Sequence, residues 1–367
     1  MAGRLRTFLC FAMGALLTAL GCMCLWTSLS GGDNAENAAL AAAALALPDG
    51  GYRLVTVQNT DMTEESASSS VTAETESLVN TEEVTTTATI DESVYTEDPS
   101  VYDGEAHLPV VETQYSSGEL GYNDFFVKNS TEFNLDIGKY LTRPLGFDFD
   151  KNSDKVQVLI VHTHTCESYL TYDSGYYHES FYPRSEDSER NMTRVGRAIA
   201  EGLQSQGIGV IHATEVHDSP AYDGAYYRSY DTIQKYIAQY PDIKVVLDIH
   251  RDSISYSSGG GKTKPTFTHN GQKAAQIMIM AGYDPDGYYE FPFWEDNLTF
   301  ALKLQNTCEE MYPGMTRPLY FGNFAYNMNV NNGSLLIEVG TDVNTLSEAV
   351  YTGKLLSNVL AKVLQTG

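Results

Sequence analysis

Basic charge is scarce in this chain. Lysine and arginine number 23 against 48 aspartates and glutamates, a formal net charge of −25, and no Lys or Arg occurs between Arg53 and Lys128. Phosphate binding needs basic density, so the balance argues against a nucleic-acid partner. Cysteine is scarce as well: of five in the chain, Cys10, Cys22 and Cys24 fall in one apolar segment, which leaves Cys166 and Cys308 for the rest. One bridge between those two is allowed, and a disulfide framework is excluded. Gly-x-Ser-x-Gly is missing, and with it the serine nucleophile elbow. Gly259-Gly260-Gly261-Lys262 lacks the spacing and the strand-to-helix position of a phosphate loop and reads as a flexible turn. No internal repeat is evident.

What is present falls into five stretches. Residues 1–7 carry Arg4 and Arg6 and read as a cytoplasmic N-terminus. Residues 8–29, Phe8 to Leu29, contain no charge and at about 20 residues are long enough to cross a bilayer. Basic residues before this segment and none soon after it place the bulk of the chain on the extracytoplasmic side, at the cell membrane. A signal peptide cleaved near Ala44 to Pro48 is the alternative. Residues 30–114 begin Ala-rich and pass, from Gln58 to Glu112, into Thr, Ser and Glu. Such a composition buries too little apolar surface to offset its ordering entropy and predicts a disordered acidic spacer. Residues 115–150 bridge to a folded domain, 151–367, large enough for one full core.

Within that domain, Val156 to Val161 is an apolar run of strand length, and it ends in His162-Thr-His-Thr-Cys-Glu167. Val245 to Ile249 is a second run, ending in His250-Arg251-Asp252, and Leu335 to Ile337 a third, ending in Glu338. In open α/β sheets, sites form at the carboxyl ends of strands. Zinc in catalytic sites takes three His or carboxylate ligands and keeps one position open. The order His-x-x-Glu, His, Glu supplies three such ligands and a general base. Between the runs, helical spacing predicts helices over Asn191 to Gln204, capped by Asn191, and over Tyr226 to Tyr240, Glu295 to Tyr312 and Leu346 to Leu364. Short strands are expected at Gly207 to Ile211 and Gln276 to Ala281. Strands alternating with helices predict an α/β fold, a mostly parallel twisted sheet flanked by helices on both faces. Cys166 reads as a small buried neighbour of the site, and His178, His212, His217 and His269 as ordinary surface.

Five motifs, in order, carry a family resemblance: His162-Thr-His-Thr-Cys-Glu-Ser-Tyr169, Tyr222-Asp-Gly-Ala-Tyr-Tyr-Arg-Ser229, Leu247-Asp-Ile-His-Arg-Asp-Ser253, Asn297-Leu-Thr-Phe-Ala-Leu-Lys-Leu-Gln305 and Gly333-Ser-Leu-Leu-Ile-Glu-Val-Gly-Thr341. Together they closely resemble the stage II sporulation protein P family, from about Val156 to the C-terminus. The resemblance implies a phosphorylase/hydrolase-like fold of the amidase type and a zinc-dependent N-acetylmuramoyl-L-alanine amidase acting on peptidoglycan. It also implies work at the engulfing septal membrane beside stage II sporulation proteins D and M. One zinc ion would be held by His164, Glu167 and His250, with Glu338 as the base. His162 is either a support behind the ligands or itself a ligand in place of His164. Arg251 is expected to bind substrate or to sit in a structural salt bridge, and the tyrosines at 169, 172, 176, 177 and 182 to line a groove or to pack. The loop Tyr326-Asn-Met-Asn-Val-Asn-Asn departs from the family pattern by lacking its usual His and Pro. Two alternatives stand beside the amidase: a zinc peptidase cutting the stem peptide, and a wall-binding scaffold without activity.

Overall fold

β-branched runs build the centre of the molecule. The computed structural model describes Tyr102, residues 104–256 and residues 260–366. The expected anchor at 8–29 and the spacer up to residue 101 lie outside the described residues. Among the described residues no helix is long and apolar enough to cross a membrane. In chain order the elements are β1 (His107–Thr113), β2 (Leu120–Tyr122), β3 (Phe125–Asn129), α1 (Ile137–Thr142), β4 (Val156–Val161), β5 (Tyr176–His178), α2 (Met192–Gln204), β6 (Gly209–His212) and α3 (Ala225–Gln239). They continue with β7 (Val245–Asp252), β8 (Ser255–Tyr256), β9 (Gly261–His269), β10 (Gln272–Ala275), β11 (Ile277–Gly282), α4 (Trp294–Met311), β12 (Leu319–Gly322), β13 (Gly333–Thr341) and α5 (Leu346–Thr366).

The main sheet has eight strands in the order β2-β3-β12-β11-β13-β7-β4-β6. The α/β architecture expected from the alternating pattern is present, with one refinement: the sheet is mixed. β13, β7, β4 and β6 run parallel to one another, whereas β11 meets β13 antiparallel and β2 meets β3 antiparallel. The fully buried strands β4 and β7 show why a continuous apolar run, not an alternating one, marked them: both faces are covered. Val158, Ile160, Leu247, Ile249 and Ile337 face α2, α4 and α5 in the principal core. Leu159, Val161 and Val246 face α3 in a smaller one. Three helices thus cover one face and α3 a part of the other.

α2 starts as its sequence predicts: Asn191 Oδ1 accepts from Thr193 N at 2.9 Å. A second sheet, absent from the sequence expectation, has the order β10-β9-β1-β5, with β8 on β9. Its strand β1 falls inside the stretch to residue 114 expected as spacer. Val110 to Thr113 pair in parallel with Lys262 to Pro265 of β9, and Leu108 pairs with Tyr177 of β5. Lys262, read as part of a flexible turn, is therefore a strand residue. Both described cysteines, Cys166 and Cys308, are free and buried, so the allowed bridge does not form.

Candidate active site

Three neighbouring strands deliver the side chains. β13 lies parallel to β7 with Glu338 directly opposite His250, and β7 lies parallel to β4 with Asp248 opposite Val161. Paired residues project on the same face, so Glu338, His250 and Asp248 share the face that α3 packs against. The chain leaving β4 then turns His164 and Glu167 back over the same point. His164 and His250 stand with ring centroids 5.2 Å apart and nearly perpendicular. Glu167 Oε2 lies 3.6 Å from His250 Nδ1. His164, Glu167, His250 and Glu338 are thus brought together.

Each is held from behind. Asp248 accepts from Thr163 N at 2.8 Å and from Thr163 Oγ1 at 2.6 Å. Its Oδ1 lies 2.9 Å from His250 Nε2, although the nitrogen is out of line for a hydrogen bond. Glu167 accepts from the backbone N–H of Arg251 at 3.1 Å. His164 is walled by Tyr222, stacked at 4.4 Å, and by Tyr226 edge-on at 5.5 Å. Its Nδ1 is buried without a hydrogen-bond partner.

Burial and neighbouring charge set unequal proton affinities. Burial, then the positive His250, pushes the His164 imidazole down to about 2. For His250 burial acts in the same direction, but the carboxylates of Asp248, Glu167 and Glu338 outweigh it and raise the group to about 10. Asp248 is held down at about 2 because His250 and the Thr163 donors overcome its burial. Burial raises Glu167, against the pull of Arg251 and His250. Glu338 is pushed up to about 8, by burial first and the Asp252 carboxylate second. The Glu338 residue keeps partial exposure, yet its Oε2 is buried and accepts no hydrogen bond. An unpartnered carboxyl with a pKa near neutrality is what a general acid–base needs.

Two imidazoles and a carboxylate are ligands zinc accepts, and the buried His164 Nδ1, which has no hydrogen-bond partner, is a donor atom such a cation would use. The donor set therefore fits zinc chemically. As the side chains stand, no group of three His, Cys, Asp or Glu among the described residues is closed for a metal ion. The reason is local, since Glu167 turns to the Arg251 amide and His250 toward Asp248.

His162 points elsewhere. Its Nδ1 meets Ile249 O at 2.9 Å and its Nε2 meets His212 Nε2 at 2.9 Å, so both ring nitrogens are spent. Burial lowers it to about 4 and His212 to about 3, which keeps this pair neutral. His212 and His217 are thus not the surface residues expected of them: His217 is buried, with Nδ1 at 2.7 Å from His162 O and Nε2 at 2.9 Å from Thr232 Oγ1. Arg251 spends its donors on protein acceptors, Nε on Ser168 O and Nη2 on Pro183 O, with Nη1 at 3.7 Å from Glu167. Tyr169 is buried, donating to Val339 O at 2.9 Å, and the site's aromatic wall is Tyr222 and Tyr226 instead. Cys166 is buried, and burial and Asp218 raise its thiol to about 12, which leaves it no nucleophile.

Sequence reading missed Arg317. It lies just before β12, the neighbour of β11, with its N–H on Ile277 O at 2.7 Å, and its Nη1 donates to Asp252 Oδ2 at 2.9 Å. Nothing in its local sequence, Thr316-Arg317-Pro318, signals a site. A buried arginine is itself the signal, visible only once the chain is folded.

No curated protein matches the chain significantly. Among solved structures, the amidase AmiC2 of Nostoc punctiforme aligns at TM-score 0.34 and 10% identity, covering 57% of this chain and 95% of that one. An N-acetylmuramoyl-L-alanine amidase from Clostridium difficile 630 aligns at 0.34 and 17%, covering 58% and 97%. The Ami1 amidase of Mycobacterium abscessus aligns at 0.34 and 11%, covering 57% and 98%. These are loose likenesses, and no role is transferred from them. The model of the stage II sporulation protein P family, by contrast, matches residues 50–361, which include every site residue named above. By that match over most of its length, the chain belongs to the stage II sporulation protein P family.

Proposed function

We propose that this chain is a peptidoglycan hydrolase, a zinc-dependent N-acetylmuramoyl-L-alanine amidase that cleaves the amide between the lactyl group and L-alanine. The observation that carries the reading is Glu338, in register beside His250, with Oε2 unpartnered and its pKa raised to about 8. Family membership and the convergence of His164, Glu167 and His250 support it.

His164, Glu167 and His250 would hold one zinc ion. Bound there, the cation supplies Lewis acidity toward water and the amide carbonyl. Glu338 takes a proton from the attacking water and returns it to the leaving L-alanine amine. A carboxyl poised near neutrality can do both within one turnover. Asp248, anchored by Thr163, orients the His250 ring. Tyr222 and Tyr226 shield His164 and exclude bulk water from one side. In the cell, the enzyme would sit at the membrane on its N-terminal segment with this domain outside, remodelling septal wall with stage II sporulation proteins D and M.

The test is digestion of purified peptidoglycan by the full chain, with and without chelator, followed by mass analysis of the soluble products. Intact stem peptides with free L-alanine amines, lost with chelator and restored by zinc, are expected. Peptides cut internally would replace the amidase by the zinc peptidase. Undigested wall, with zinc and partner proteins D and M present, would leave a scaffold.

A further inference from the structure

Arg317 is buried, with 5% of its side chain exposed, and it is only partly used. Nη1 donates to Asp252 Oδ2 at 2.9 Å, while Nε and Nη2 are buried and have no hydrogen-bond partner. Those two atoms are not an arbitrary pair. Nε–H and one Nη2–H lie parallel along one edge of the planar guanidinium, the edge that grips both oxygens of a carboxylate. Desolvating such donors is costly unless something fills the edge.

Arg317 lies beside the strands that carry the reaction centre. Arg317 follows Thr316, which bridges Ile277, and Ile277 and Met278 of β11 pair with Val339 and Glu338 of β13. The guanidinium is close enough for its charge to act on Glu338, yet neither Nε nor Nη2 bonds it. Asp252 is already bonded to Arg317 Nη1 and to the Ser253 amide. Nearby Arg251 cannot do the same work, because its Nε and Nη2 are taken by Ser168 O and Pro183 O.

We propose that the Nε–Nη2 edge of Arg317 is a carboxylate receptor for the stem peptide, binding an acid group of the D-glutamate that follows L-alanine. The proposal rests on the peptidoglycan reading for the identity of the ligand, and on the unfilled edge for its chemistry. The dipeptide acid carries two such groups: the α-carboxylate, one residue beyond the cleaved amide, and the γ-carboxylate, which in a longer stem is spent in the amide to the next residue.

The probe is N-acetylmuramyl-L-alanyl-D-isoglutamic acid, compared with its two monoamides, titrated calorimetrically into the full chain and assayed for cleavage in parallel. The diacid is expected to bind about 10- to 100-fold tighter than one of the monoamides, the range of a charge-assisted pair. The monoamide that loses affinity names the acid group. R317K keeps the charge without the edge and R317Q keeps neither; both should erase the preference while binding that monoamide as the wild type does. Where these variants do not fold, the Arg317 Nε–H resonance of ¹⁵N-arginine-labelled wild type decides, since it must shift with diacid and not with the weaker monoamide. Equal binding of all three probes, a preference that survives in R317K and R317Q, or an unmoved Arg317 resonance overturns the proposal. Discrimination in binding without cleavage of any probe would sink the amidase reading and leave the carboxylate site standing. Cleavage of all three without discrimination would do the reverse.

Discussion

At the scale of single residues, the site works by giving chemically similar groups different surroundings. Glu167 and Glu338 both hold carboxyl oxygens away from solvent, but Glu167 accepts from an amide and has a guanidinium at 3.7 Å, whereas Glu338 Oε2 accepts no hydrogen bond. Glu338→Gln keeps shape and removes the base, so turnover should fall about 10²-fold or more while zinc stoichiometry stays unchanged. The same residue makes a stability prediction for chelator-treated protein. Its pKa rises from an ordinary 4.5 to about 8 on folding. The folded state therefore holds a proton that the unfolded chain releases, and stability falls as pH climbs from about 4.5 to about 8. Glu338→Gln should remove that slope, matching the wild type near pH 4 and exceeding it at pH 8 by on the order of 4 kcal/mol. Equal pH slopes in denaturant titrations would reject the assignment. The two histidines separate in the same way. His164→Ala should abolish zinc retention with little loss of stability. His162→Ala should cost about 2 to 3 kcal/mol by leaving His212 Nε2 and Ile249 O unpaired, with zinc stoichiometry kept. Metal analysis beside thermal unfolding distinguishes the two.

At the scale of elements, the packing of α2 and the Asn-rich loop explains how the site is held. Gly196 of α2 sits against the histidine pair, where a Cβ would come 2.4 Å from His162 Nε2 and 2.5 Å from His212 Nε2. Neither ring is a flexible tip, so Gly196→Ala should push α2 off β4 and cost about 1 to 3 kcal/mol, read as a lower unfolding midpoint. The loop after Phe324, which departs from the family pattern, is secured by asparagines. Asn327 has φ 58°, a left-handed conformation that asparagine tolerates, and its Nδ2 donates to Tyr226 O at 3.0 Å and Ser229 Oγ at 2.9 Å. The loop thereby braces α3 and the aromatic wall without the His and Pro it lacks. β4, β7 and β13 were legible because each is one continuous apolar run covered on both faces, and the four long helices because each buries one face in a periodic run. The second sheet was not. β9 reads Gly-Lys-Thr-Lys-Pro-Thr-Phe-Thr-His, and β5 has three residues; ion pairs and pairing partners far away in sequence make these strands, and no window of residues contains them. The same holds for Arg317 and Asp252, 65 positions apart, and for the His162–His212 pair.

At the scale of the whole molecule, the second sheet makes the segment before residue 115 part of the folded unit. β1 lies between β9 and β5, so it closes two edges at once. Behind it, Lys264 is 1% exposed, and its Nζ lies 2.8 Å from Glu348 of α5, 2.9 Å from Asp173 and 3.9 Å from Glu112 of β1. Glu112 also accepts from Lys273 of β10 at 2.6 Å. A buried ammonium is tolerable only while its carboxylates surround it, and β1 brings one of them. The boundary at 115 that composition suggested would therefore cut through the structure. A chain shortened to begin at Tyr115 loses β1, leaves β9 and β5 with bare edges and takes Glu112 from the lysine cluster. It should unfold at a clearly lower temperature than a chain beginning at Tyr102 and should associate through the exposed edges. Lys264→Met tells the two contributions apart. Methionine fills much the same volume but removes only the cation, and it leaves the buried Glu348 carboxylate without its partner, a loss of about 3 to 5 kcal/mol. The substitution should thus lower the midpoint of both forms and narrow the gap between them by the share that Glu112 contributes through the cluster. Equal midpoints for the two shortened chains would mean that β1 lies on the domain without stabilising it, and that the spacer begins where composition alone would put it.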